Sequence, residues 1–233
     1  MSQRNELMPL ETEPNVPSVA TESRKRFRTL IFDFDGTIAD TLSAIIKLVN
    51  EHASELNIEP LAEKDVEELR GMSNLDIIKK FKLPLFKVPS IVLRAQKELH
   101  QRIDEITLFP GVKELVLALK ENSFHLGILT SNSRENVLKF LRAQALDVFD
   151  FIHAEQNFFG KNWALLHLLK KFNLKKEEVI YVGDEVRDIE ACQKVSVPVI
   201  AVSWGFHRKQ VLRAKNPTYL VDSPDEIRKI VFG

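Results

Sequence analysis

The sequence has a single cysteine, only eight glycines and no excess of charge of either sign. Cys192 has no internal partner, so no disulfide holds this fold, which suits a reducing compartment. Lys and Arg total 33 and Asp and Glu total 33. A nucleic-acid binder carries a basic excess, and so does a protein held on an anionic membrane surface. No apolar run approaches the ~20 residues needed to span a bilayer. The start of the chain, MSQRNELMPLETEPN, has neither the basic nor the apolar stretch of a secretory signal. A cytoplasmic protein with no nucleic-acid and no membrane partner is expected, as a monomer or homodimer. No two glycines stand in a G-x-G spacing, and no G-x-x-x-x-G-K-[ST] occurs. The dinucleotide fingerprint and the Walker phosphate loop are therefore excluded.

What is present is an ordinary globular composition, with 44% hydrophobic and 28% charged residues over 233 positions. A chain of that size buries roughly 70% of its unfolded surface and needs no staple. Residues 1–25 mix Pro, Glu, Ser, Thr and Asn without periodicity and read as a mobile tail, ending in a solvated basic run of Arg24, Lys25, Arg26 and Arg28. The apolar run from Phe27 to Phe34 reads as a buried strand closed by the turn residues Asp35-Gly36-Thr37. From residue 42 to 105 the pattern is helical, with Leu42, Ile45, Ile46 and Val49 at helical spacing. Ser73 and Asp76 form a helix-start signature, and Val92, Leu93, Gln96, Leu99 and Ile103 are expected on one helix face.

After Pro110-Gly111 helices and apolar strands alternate. Strands are expected at 124–130, 151–152, 179–182, 197–202 and 219–221. That alternation predicts an α/β fold with a Rossmann-like parallel sheet, covered on both faces, and a small all-helical block inserted after the first strand. The expected division is a core of 26–41 plus 106–233 and an inserted block of 42–105.

Ligands of open parallel sheets bind beyond the C-terminal strand ends. Asp33, Asp35 and Thr37 follow the first strand; Thr130, Ser131 and Asn132 end the second; Gly183, Asp184 and Asp188 follow the fourth; Lys161 opens a helix after the third. Taken singly, each has a plain structural reading as a turn former, a helix cap or a surface lysine. Four separate stretches converging on one sheet edge do not. Clustered aspartates repel one another unless a cation sits among them, and Mg²⁺ is the hard ion that carboxylates and phosphate share. No Cys or His stands at zinc-ligand spacing. The six histidines are read as packing or surface residues.

These motifs, Asp33-Phe34-Asp35-Gly36-Thr37, Thr130-Ser131-Asn132, Lys161 and Gly183-Asp184 with Asp188, resemble those of the haloacid-dehalogenase-like hydrolases, in the branch of the phosphoglycolate phosphatases. The resemblance spans about residues 28 to 205. It implies a Rossmann-like core with a helical cap over residues 42–105. It implies a Mg²⁺-dependent phosphatase, a phosphoric monoester hydrolase acting on a small phosphorylated metabolite such as phosphoglycolate. Asp33 is then the nucleophile, ionised at pH 7, that forms an aspartyl phosphate, and Asp35 the general acid and base, with a raised pKa. Mg²⁺ is held by the Asp33 carboxylate, the Asp35 backbone carbonyl and Asp184, with Asp188 as a further ligand or an orienter of ligands. Thr130, Ser131, Asn132 and Lys161 bind the phosphoryl group. The family's lysine is often followed by proline; here Asn162 follows Lys161, with Lys170 and Lys171 the other choices. An aspartate two residues after the nucleophile marks phosphoester chemistry in that family, not dehalogenation. Arg70 and Gly71, between two cap helices, are expected to touch the substrate, Arg70 by clamping a carboxylate. A phosphomutase of the β-phosphoglucomutase kind and a non-catalytic binding module on the same fold are the alternatives.

Overall fold

The computed structural model describes residues 26–155 and 160–233. The expected tail, residues 1–25, lies outside them. The first strand, β1 (Thr29–Phe32), is central in a six-stranded sheet of order β5-β4-β1-β6-β7-β8. Its neighbours are β4 (His125–Thr130) and β6 (Val179–Gly183); beyond them lie β5 (Phe151–Ala154), β7 (Val199–Val202) and β8 (Tyr219–Val221). Every pairing in this sheet is parallel, as the apolar runs require. β1, β4 and β7 are shorter than the apolar runs that announced them, because those runs continue into the flanking turns, whereas β5 and β6 extend past the expected ends by two residues and one. The expected α/β class and parallel core are borne out.

Alternation along β1 sorts its side chains between two cores. Leu30 and Phe32 enter the cluster covered by α6 (Val112–Glu121), α7 (Arg134–Ala143) and α11 (Pro224–Phe232), through Val116, Phe140 and Ile227. Ile31 faces the other cluster, covered by α8 (Lys161–Lys171) and α9 (Val186–Val195), through Leu168, Ile189 and the buried Cys192. Each fully buried Leu, Ile or Phe contributes about 1.5–3 kcal/mol. A short α10 (Lys209–Arg213) links β7 to β8.

Between β1 and α6 stands the helical block: α1 (Leu42–Glu51), α2 (Ala53–Leu56), α3 (Glu63–Leu69), α4 (Asn74–Lys80) and α5 (Val88–Gln101). Two short segments missed by periodicity close its neck. Here β2 (Ala39–Asp40) pairs antiparallel with β3 (Thr107–Leu108). Two-residue strands are too short to carry a pattern. The Ser73 signature is borne out, its side chain accepting the Asp76 amide at 3.2 Å. Leu93, expected on the inner face of α5, is 52% exposed, whereas Leu99 and Ile103 are buried. Leu93 stands six residues before Leu99, about 120° round the helix, which carries it off the face that Leu99 buries.

Candidate active site

Asp33 and Asp35 follow β1 directly. The Asp33 amide still donates to Val182 O of β6 at 2.8 Å, which holds the strand end in place. Gly36 then takes φ +79°, in the left-handed region, and its amide returns to Ala39 O at 2.9 Å. This tight turn carries Asp35 and Thr37 back over the sheet edge.

Asp33, Asp184 and Asp188 are buried and bring carboxylate oxygens within 4.8 Å of one another. Lys161 Nζ lies 3.0 Å from Asp33 Oδ2 and contacts Asp188 Oδ1. The other oxygen of Asp188 accepts the Glu185 amide at 2.9 Å, so Asp188 also caps α9. Glu185 is paired with Arg187 at 2.5 Å. Asp184 is held from two sides: Thr37 Oγ1 donates to one oxygen at 2.8 Å, and the Phe206 amide donates to the other at 2.6 Å. Asn132 Nδ2 donates to both oxygens of Asp35, at 3.0 and 3.2 Å. Thr130 Oγ1 accepts the Asn132 amide at 2.9 Å, and Ser131 O accepts from Gln96 Nε2 of α5 at 2.8 Å.

Burial dominates the electrostatics. It raises Asp33 to about 7, against the pull of Lys161 and with the push of Asp188. The sequence reading took this carboxyl as ionised at pH 7; removal from water makes the proton hold on to near neutrality. Burial also raises Asp35, as expected, against hydrogen bonds from Asn132 and Thr41. Asp184 is pushed well above the usual carboxylate range by burial and then by the charges of Glu185 and Asp33. Burial works against the Lys161 ammonium, but Asp188 and Asp33 hold it above the ordinary lysine value.

The donor set fits a hard divalent cation. It is all oxygen, anionic and buried, and the backbone leaves room beside it. A Cβ on Gly36 would lie 2.1 Å from Asp184 Oδ2, and one on Gly205 would lie 2.4 Å from the same oxygen and 2.2 Å from Gly36 O. Two glycines thus shape the space around Asp184.

Of the residues expected at the site, Asp33, Asp35, Asn132, Lys161, Asp184 and Asp188 come together through these contacts. Arg70 stands outside that group. Its guanidinium donates to Gly205 O at 3.0 Å, Phe206 O at 3.1 Å and Glu67 at 2.9 Å, which ties it to the 205–206 loop beside Asp184. Gly71 is exposed beside it. Sequence reasoning left four contributors without a role. Thr37 stands inside the first motif and Gly205 and Phe206 follow β7, but nothing in their spacing ties them to Asp184. Asn136 carried no signal at all; it donates to Asn132 Oδ1 at 3.0 Å and to Gln96 O at 2.8 Å. The fold also joins histidines that look scattered in sequence: His153, Glu155 and His167 each bring a ligand atom within 4.8 Å of the others, His153 Nε2 lying 3.2 Å from Glu155.

The model of the haloacid dehalogenase-like hydrolases matches residues 30–202, which includes every motif above. A phosphoglycolate phosphatase of Synechococcus elongatus is 36% identical over 205 residues, covering 88% of this chain and 97% of that protein. A pyrophosphatase PpaX of Bacillus mycoides is 26% identical, covering 88% of this chain and 97% of that protein. In the solved structure of a predicted phosphatase from Clostridium acetobutylicum the fold recurs with a TM-score of 0.77 at 21% identity, over 88% of this chain and 98% of that one. The chain belongs to the haloacid dehalogenase-like hydrolase family. The expected enzyme class, a phosphatase hydrolysing phosphoric monoesters, is borne out.

Proposed function

We propose that this enzyme hydrolyses a small phosphate monoester through an aspartyl-phosphate intermediate, with Mg²⁺ as its metal. The observation that supports it most is the Asp33–Lys161–Asp188 cluster beside an Asp35 held by Asn132. Asp33 attacks phosphorus; a P–O bond to Asp33 forms and the P–O bond to the leaving alcohol breaks. The proton on Asp35 goes to that alkoxide, and burial, which raises the pKa of this carboxyl, favours the protonated form that the step needs. Water then attacks the aspartyl phosphate, its proton passes to Asp35, and inorganic phosphate leaves with Asp33 restored. Asn132 keeps the Asp35 carboxyl in one orientation through both steps.

Lys161, Ser131 and Thr130 are proposed to contact the phosphoryl oxygens, Lys161 offsetting charge as Asp33 approaches. Asp33, the Asp35 carbonyl and Asp184 would hold Mg²⁺, with Asp188 orienting Lys161 beside them. Bound there, the ion would offset the phosphoryl charge and favour the ionised form of Asp33. The core is proposed as 26–41 plus 106–233, and residues 42–105 as a cap closing over it, with Arg70 and Gly71 at its hinge side.

Phosphate release from a panel of small esters, with and without Mg²⁺ and beside Asp33→Asn, tests this. Release that needs both metal and Asp33 is expected. A folded protein that releases no phosphate from any ester overturns the reading.

A further inference from the structure

The helical block packs one row of apolar side chains onto the core and turns another row away from it. Leu48 of α1 and Leu99 of α5 are buried in the core beneath β1. Ile46 and Val49 of α1, Ile77 of α4 and Val92 of α5 are only half-buried. They line a cavity of about 500 Å³ between the helical block, the start of α8 and one side of α9. Among the described residues, those that α1, α4 and α5 contribute to its wall are aliphatic, with Ser73 at the start of α4 beside them. Lys161, Glu185 and Arg187 line the facing wall. Lys161 therefore belongs both to this cavity and, through its Nζ 3.0 Å from Asp33 Oδ2, to the catalytic cluster.

We propose that this cavity receives the leaving group of the substrate, and that the leaving group is an apolar alcohol. The inference rests on the phosphatase reading above and names its substrate class. Lys161 is the residue that the cavity's lining shares with the Asp33 cluster, so a phosphoryl group held there stands at the cavity's edge, and the cavity is aliphatic on the cap side. Its volume lies in the range of ordinary small-molecule pockets. An alkyl chain there removes its own surface and that of the Ile and Val row from water. Against the aliphatic side chains a carboxylate such as that of glycolate would lie unpaired, and desolvating it so is costly; of the polar residues elsewhere in the lining, Ser73 bonds Asp76 and His207 the Met72 carbonyl, while Asn162 stands beside Lys161. The cations nearby are already engaged. Arg187 pairs with Glu185, and Lys161 with Asp33 and Asp188. Arg70 is bound to the carbonyls of Gly205 and Phe206. Lys194 also lines the cavity, but it stands seven residues, about two turns, beyond Arg187 on α9.

The test is a homologous series. The full chain with Mg²⁺ is given n-alkyl monophosphates from ethyl to octyl, beside phosphoglycolate. A buried methylene is worth about 0.8 kcal/mol, which is about fourfold in kcat/KM. A rise of about two- to fourfold per methylene is expected until the cavity is filled, with phosphoglycolate below ethyl phosphate, its two-carbon counterpart without the carboxylate. A flat series, or a preference for phosphoglycolate, overturns the proposal. Two variants read the slope of that series. Ile46→Asn flattens it, and Val92→Trp moves the best chain length to a shorter ester; an unchanged slope in both overturns it too. Calorimetry with n-octyl and methyl phosphonate, which cannot be hydrolysed, separates the proposal from the reading it rests on. At least tenfold tighter binding of the octyl compound is expected. If no ester is turned over, the phosphatase reading falls, and equal binding of the two phosphonates removes the apolar pocket as well.

Discussion

Asn132 Nδ2 donates to both carboxylate oxygens of Asp35, at 3.0 and 3.2 Å, and is itself held by Asn136, whose Nδ2 reaches Asn132 Oδ1 at 3.0 Å and Gln96 O at 2.8 Å. The carboxyl proposed as general acid is thereby tied to α5 of the helical block through two asparagines. His100 Nδ1 completes the chain 2.6 Å from Asn136 Oδ1.

Replacing Asn132 by Ala removes a hydrogen bond to a charged group, a loss of about 1.5–3 kcal/mol. A fall in kcat of about 10- to 100-fold is expected. Asn132 lowers the Asp35 pKa, so its loss raises that pKa further. The alkaline limb of the kcat/KM profile, where Asp35 gives up its proton, then moves to higher pH. A limb that stays put or moves down would falsify the role given to Asn132.

Gly36→Ala and Gly205→Ala each drive a methyl group into Asp184 Oδ2, at 2.1 and 2.4 Å. Gly36→Ala also forces an L-residue into φ +79°. Disturbing the setting of a metal ligand, the role proposed for Asp184, weakens metal sites by about 10- to 100-fold. The Mg²⁺ concentration for half-maximal activity is expected to rise by that factor in both variants, with circular dichroism confirming the fold. Unchanged Mg²⁺ dependence would remove Asp184 from the metal site.

Lys161→Met leaves Asp33 and Asp188 buried without their shared cation. Breaking a buried ion pair from one side costs about 3–5 kcal/mol. Urea unfolding of the metal-free variant at pH 8 should show a loss of that order, and phosphate release should be abolished. Adding Asp33→Asn to it removes one of the stranded charges and should restore part of the stability. If the double variant is no more stable than Lys161→Met, the electrostatic account is wrong.

His52 on the helical block is 2.8 Å from Glu98, and that hydrogen bond raises its pKa. A histidine whose folded pKa lies above the unfolded value binds more protons folded than unfolded. Its contribution is therefore complete below the unfolded value, about 6.5, and is lost as pH rises through the folded value. The Tm difference between the protein and His52→Gln should be largest near pH 6 and shrink toward pH 9. A difference independent of pH would mean that the ring acts only by packing.

Most of the architecture was legible because it rests on local pattern. The FRTLIFDF and VPVIAV runs are apolar on both faces, and only a parallel sheet covered twice has room for such strands. Asp33, Asp35, Asp184 and Lys161 could be picked out because they follow strands or open helices, where a parallel sheet gathers its loops. The neck strands β2 and β3 could not be read, since two residues have no period. Arg70 looked like a substrate clamp because a fork in a loop between cap helices is free until the rest of the chain is placed. The 205–206 loop, 135 residues away, is what occupies it.

The sequence by itself determined the chain order of the six sheet strands, the helical block after the first of them, the aspartates at the strand ends and the family they define. Those depend on residue types at short spacing, which hydrophobic period and turn chemistry impose on any chain. Only the tertiary structure decided how the charges are balanced and what surrounds them. Desolvation, which takes Asp33 to about 7, is a property of the whole enclosure. So are the grip of Thr37 and Phe206 on Asp184 and the aliphatic wall facing Lys161. Each joins residues from distant parts of the chain, and no local spacing encodes a distance between them.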